Sequence, residues 1–107
     1  MREVIQLEKF KKEVLEFPAK TREDLFSLIA RFLGGESLNG NYFKTFKLGK
    51  QIKIQEFKVK DDQGNWRAFS CFWGKKYLVL VYAFHKKSQK LLEKDKEVII
   101  GRIKGIK

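Results

Sequence analysis

Residues Phe57 to Lys90, FKVKDDQGNWRAFSCFWGKKYLVLVYAFHKKSQK, leave this chain few alternatives to a β-sheet. The stretch reads as three strands joined by two tight connections. The first strand ends in Phe57-Lys58-Val59-Lys60. Asp61-Asp62-Gln63-Gly64-Asn65 then supplies turn chemistry, with Gly64 or Asn65 able to take positive φ. Trp66 to Trp73 is the second strand, rich in aromatics, and Gly74-Lys75-Lys76 turns the chain again. Tyr77 to Phe84 is a continuous β-branched and aromatic run. Such a run predicts a strand covered on both faces, near the middle of the sheet. His85-Lys86-Lys87-Ser88-Gln89-Lys90 follows at the strand's end. A packed apolar sheet ending in clustered cations is a platform for an anion.

The flanking segments read as helices. Residues 1–6 are ambiguous, although Val4 and Ile5 could open a strand; Leu7, Phe10, Val14 and Phe17 fall at helical spacing, which predicts a helix from about Leu7 to Glu16. Pro18 stops it. Thr21 is a candidate N-cap for a second helix, with Glu23 and Asp24 in its first turn. Leu25, Leu28, Ile29, Phe32 and Leu33 form its apolar stripe, and Gly34-Gly35 stops it. Tyr42 to Lys60 contains strand material broken by Gly49. Within it, Phe57 and Val59 share one face, and Lys58 and Lys60 the other. Leu91 to Lys104 carries Leu92, Ile99 and Ile103 at helical spacing, weakened by Gly101 and Gly105. The core is expected to join Leu25, Ile29, Phe32, Phe57, Val59, Leu80 and Tyr82 between the helical hairpin and the sheet.

At 107 residues the chain fits one domain. Lys and Arg number 24 against 13 acids, a formal +11. That excess points to a polyanionic partner, because lysines serving only solubility or heat stability come with matching acids. The single cysteine, Cys71, excludes an intramolecular disulfide, fits a reducing cytoplasm, and reads as a small buried side chain. Met1-Arg2-Glu3 leads directly into charged sequence, so no secretory leader is expected. No apolar run approaches the roughly 20 residues of a membrane span.

The chemistry available is narrow. With one Cys and one His there is no zinc spacing. Asp61-Asp62 is an adjacent carboxylate pair, and a hairpin turn accounts for it. No Gly-rich phosphate loop opens a helix. No cofactor or metal is expected. An enzyme built from this chain would work with cations, one histidine and tyrosines. RNA suits that set, because it carries its own nucleophile, the 2′-hydroxyl, and needs only positioning and charge stabilisation.

Lys-x-Lys, then Asp-x-x-Gly-x-Trp-Arg, then a strand ending Ala-Phe-His-Lys-Lys-Ser-Gln-Lys resembles the RelE/ParE toxin superfamily, nearest its phage-derived and HigB-type branch. That branch ends its last strand Gly-Phe-Arg-Lys-Lys-Thr-Gln-Lys; here Ala83, His85 and Ser88 stand for the glycine, arginine and threonine. The resemblance implies an α+β domain: an N-terminal helical hairpin on a mainly antiparallel sheet of three to five strands, with a C-terminal helix. It implies the toxin of a type II toxin–antitoxin pair, acting as a ribosome-dependent messenger-RNA endonuclease. Its partners would be the ribosome, mRNA and a cognate antitoxin, an acidic or helix-turn-helix protein that covers the basic surface or displaces the C-terminal helix. By the match, Arg67 would hold the scissile phosphate, with His85 and Lys86 completing the catalytic set. Lys58, Lys60, Lys87, Gln89 and Lys90 would bind RNA. Two alternatives stay open: gyrase poisoning of the ParE type, and a non-enzymatic nucleic-acid-binding module. The residues have plainer readings too. The lysines serve equally as strand-edge charges that discourage aggregation. Arg67 serves as a cation–π or salt-bridge partner, and His85 as a surface residue.

Overall fold

The computed structural model describes residues 2–49, 51–86 and 91–106. Lys87, Gln89 and Lys90, expected to bind RNA, lie outside these. The element order is β1 (Glu3–Gln6), α1 (Glu8–Val14), α2 (Ala19–Leu33), β2 (Phe43–Leu48), β3 (Ile52–Asp61), β4 (Gly64–Trp73), β5 (Tyr77–Lys86) and α3 (Glu93–Lys104). The five strands form one sheet in the order β1-β5-β4-β3-β2. Every neighbouring pair is antiparallel except β1 with β5. This is the α+β architecture expected, with its helical hairpin and terminal helix.

Several boundaries differ from the sequence reading. α1 stops at Val14, short of Glu16. Thr21 is not an N-cap: α2 starts one turn earlier with Pro18 as its cap, so Glu23 and Asp24 fall beyond the first turn. Proline's fixed φ and missing N–H suit a helix start. The Thr21 hydroxyl is buried and donates instead to Asp61 Oδ2 at 2.6 Å. At the other end Gly35 takes φ 88°, and Glu36 N–H reaches Arg31 O while Gly35 N–H reaches Phe32 O. This paired closure at a left-handed glycine satisfies the last carbonyls of the helix. β5 runs on to Lys86 and lies one strand from the sheet's centre, which is β4.

Each face of the sheet carries its own core. On one face α1 and α2 cover Phe57, Val59, Trp66, Ala68, Leu78 and Leu80. On the other, Ile99 of α3 meets Ile54, Phe69, Cys71, Val79 and Val81. Burial pushes the Cys71 thiol up to about 11, which leaves it an inert packing group. The expected single core therefore needs two corrections. Phe32 is only partly buried, and Tyr82 belongs to the α3 side.

A β-bulge accounts for Tyr82. Ser70 pairs with Leu80, yet Phe69 pairs with Tyr82, so Val81 is the extra residue. The bulge breaks the two-residue alternation. Leu80 faces the hairpin, and Val81 and Tyr82 both join the α3 side. β1 also ends here, with Gln6 opposite Leu80. The bare edge of β5 is then capped by side chains. Arg102 Nη1 donates to Val81 O at 2.9 Å, and Ala83 N–H donates to Glu13 Oε1 at 3.2 Å. Arg102 and Glu13 pair with each other at 2.7 and 2.8 Å. Asp95 of α3, itself buried, accepts the Tyr82 hydroxyl at 2.8 Å.

The β3–β4 hairpin is pinned to α2. Asp61 accepts from the Thr21 hydroxyl and from Gln63 N–H at 2.8 Å. Its carboxyl is held below the usual carboxylate range, by Thr21 first and then by the Trp66 indole, which lies close without an aligned hydrogen bond. A carboxylate whose folded pKa is depressed contributes stability that is present above its unfolded pKa and lost as pH falls through the folded value. Wild type is therefore expected to lose thermal stability below about pH 4 more steeply than Asp61→Asn, which starts lower at neutral pH. Melting curves of the two proteins between neutral and acid pH check this; parallel profiles would remove the assignment.

Candidate functional site

Alternation decides what β3 presents. Phe57 and Val59 are buried under the hairpin, so Lys58 and Lys60 project to the α3 face, where Glu56 shares their side. In register, Lys58 lies opposite Arg67, and Lys60 opposite Asn65, which in turn faces Lys86 of β5. The bulge at Val81 brings Lys86 here, because it moves Tyr82, Phe84 and Lys86 to the same face as Phe69 and Arg67. Without that one extra residue Lys86 would point at the hairpin.

The result is one buried carboxylate under several cations. Glu56 is 3% exposed. Its Oε2 lies 3.0 Å from Arg67 Nε and 3.9 Å from Lys86 Nζ, and its Oε1 lies 3.7 Å from Lys44 Nζ. The Arg67 Nε–H is sealed from solvent but does not align on the carboxylate, so the contact is an ion pair without a good hydrogen bond. Lys58 Nζ donates to Gly40 O at 3.1 Å. Burial pushes the Lys86 ammonium below the usual lysine range; Glu56 opposes the shift, while Arg67, Lys44 and Lys58 add to it. With one acid for four bases the cluster stays strongly positive. A pocket of about 380 Å³ opens beside it, lined by Asn41, Tyr42, Lys58, Lys60, Asn65 and Arg67.

The cluster unites Lys58, Arg67 and Lys86, with Lys60 at the pocket wall. It does not include His85. Adjacent residues of a strand point to opposite faces, and His85 lies on the hairpin side. Its ring stacks on Trp66 with centroids 4.1 Å apart, and its Nε2 donates to Gln63 O at 2.9 Å. A Cβ at Gly64, where φ is 123°, would come within 3.0 Å of that nitrogen. His85 thus fastens the hairpin that carries Lys60 and Asn65. Three members of the site, Glu56, Lys44 and Tyr42, went unnoticed in the sequence. The i, i+2, i+4 spacing of Glu56, Lys58 and Lys60 was the available signal for the first. Lys44 becomes a neighbour only through the β2–β3 register, in which it faces Glu56.

A larger groove of about 930 Å³ runs between β1 and α3, past Ile5, Trp73, Tyr77, Val79, Val98 and Ile106. It is mainly apolar and lies away from the cation cluster. Among the described residues no three His, Cys, Asp or Glu side chains converge as metal ligands, and no helix is long and apolar enough to cross a membrane. No curated protein matches the chain. A family model does, over residues 12–104: phage derived protein Gp49-like (DUF891). The matched span contains α2, all of β2 to β5 and α3, and so the whole cation cluster; the chain belongs to the phage-derived Gp49-like family, within the RelE/ParE-like toxin class.

Proposed function

We propose that this chain is the toxin of a type II toxin–antitoxin pair and cleaves messenger RNA on the ribosome, as a HigB-type endoribonuclease of the cytoplasm. One observation carries the reading: Lys58 and Arg67 stand directly opposite each other on neighbouring strands. Like charges so placed destabilise a sheet. A phosphate bound between them turns that repulsion into attraction. In the reaction, the RNA 2′-hydroxyl gives its proton to solvent water as its oxygen bonds to the adjacent phosphorus, and the P–O5′ bond breaks, leaving a 2′,3′-cyclic phosphate and a 5′-hydroxyl. Arg67, with its planar fork, and Lys58 offset the extra charge on the phosphorane-like transition state. Lys86, its proton loosened by burial, gives that proton to the departing 5′-oxygen. Lys60 holds a flanking phosphate. His85 acts on this chemistry only through the hairpin it braces.

Translating extracts test the proposal. Cut mRNA whose salt dependence flattens by about one phosphate contact in Lys58→Ala is the expected result. Intact mRNA with DNA breaks in the presence of gyrase would transfer the chain to the gyrase-poisoning class. Neither product would leave a binding module.

A further inference from the structure

The cation cluster has an aromatic neighbour. Tyr42 is 52% exposed, the most open aromatic side chain among the described residues; Trp73, at the far end of β4, follows at 38%. An isolated exposed tyrosine is ordinary; the placement of this one is not. Phe43, next in the chain, packs into the hairpin core against Phe32 at 4.7 Å and Phe57 at 5.2 Å between ring centroids. Tyr42, just before β2, stays exposed at the sheet's end and lines the pocket with Lys58 and Arg67. The backbone there is fixed from both directions: Lys58 N–H donates to Tyr42 O at 2.8 Å, and Tyr42 N–H to Asn39 O at 2.9 Å. The Asn39 side chain holds the same turn by accepting Asn41 N–H at 2.8 Å. Lys58 thus has Arg67 opposite it on β4 and the Tyr42 backbone bonded to it on its other side. Tyr42 also forms the wall between the pocket at Arg67 and a second pocket of about 440 Å³ bordered by Ser27, Arg31 and Lys60.

We propose that Tyr42 is a nucleobase-stacking residue, taking the base of the nucleotide whose phosphate lies on Lys58 and Arg67. The inference rests on the RNA reading above. Single-stranded RNA offers unstacked bases, and proteins that bind it set aromatic faces beside a cationic track. The hydrogen-bonded turn fixes the backbone that carries the ring, which lowers the ordering cost at the moment of binding. The cations alone would hold any phosphate; the ring adds a requirement for a base at one defined distance from it, and so favours a nucleic acid strand over other polyanions.

Fluorescence anisotropy with a short 2′-O-methyl oligonucleotide, which cannot be cleaved, tests this on the full chain. Tyr42→Ala is expected to weaken binding roughly 5- to 150-fold with an unchanged salt slope, since no phosphate contact is lost. Tyr42→Phe and Tyr42→Trp should keep wild-type affinity. An oligonucleotide made abasic at each position in turn should, at one position, abolish the difference between wild type and Tyr42→Ala. Equal affinity of wild type and Tyr42→Ala would overturn the proposal, and so would a Tyr42→Phe variant as weak as alanine. Failure of the wild type itself to bind the oligonucleotide, both free and held on a ribosome, would bring down the RNA reading, and this inference with it.

Discussion

Arg67→Ala is expected to lower RNA cleavage by roughly 10²–10³-fold, the usual cost of losing one oriented donor to a transition state. Arg67 is 13% exposed, close to Glu56, and opposite Lys58. It therefore presents its guanidinium with little freedom left to lose. Removing it leaves Glu56 with Lys44 at 3.7 Å and Lys86 at 3.9 Å, so the fold should survive. Arg67→Lys should recover binding more than rate, because the charge returns and the fork does not. Cleavage assays with circular dichroism as the folding control check both. Undiminished cleavage in a folded Arg67→Ala protein would remove the mechanism and leave only a basic surface.

Glu56→Gln should have the largest effect on stability among single polar changes at the site, about 3–5 kcal/mol, the cost of removing one partner from a buried ion pair. That is a large part of the 5–15 kcal/mol typical of a domain. Arg67 and the 9% exposed Lys86 would then face each other across a neutral amide. An added anion should substitute for the missing carboxylate. Inorganic phosphate is thus expected to raise the melting temperature of Glu56→Gln by more than that of wild type. Urea unfolding and thermal melts, each with and without phosphate, measure this. A loss below about 1 kcal/mol, the range of exposed pairs, would show that the carboxylate does not hold the cluster together.

These expectations show where the sequence was legible. The β3–β4 and β4–β5 hairpins could be read because strand periodicity and turn residues are local signals, and Gly64 and Gly74 do take positive φ. The α2 stripe was legible for the same reason. Tyr82 was misplaced because its face depends on the Val81 bulge, which no residue type announces. The same bulge sorts Lys86 from His85: one joins Arg67, and the other stacks on Trp66. Thr21 resembled a cap until a partner 40 positions away claimed its hydroxyl. Of the candidate site, the Lys58/Lys60 pairing and Arg67 were readable along one hairpin. Lys44 was not, because it meets Glu56 only through the pairing of two strands.

The Arg102–Glu13 pair has a consequence for how the molecule could be opened. It links a helix on one face of the sheet to a helix on the other, at the point where β5 has lost its neighbour. Detaching α3 withdraws Arg102 from the Val81 carbonyl and from Glu13 in the same movement. What is laid bare is a strand margin with a free acceptor at Val81 and a loosely held donor at Ala83, the arrangement onto which an extended peptide adds itself. The terminal helix thus closes the stretch of β5 that β1 leaves unpaired.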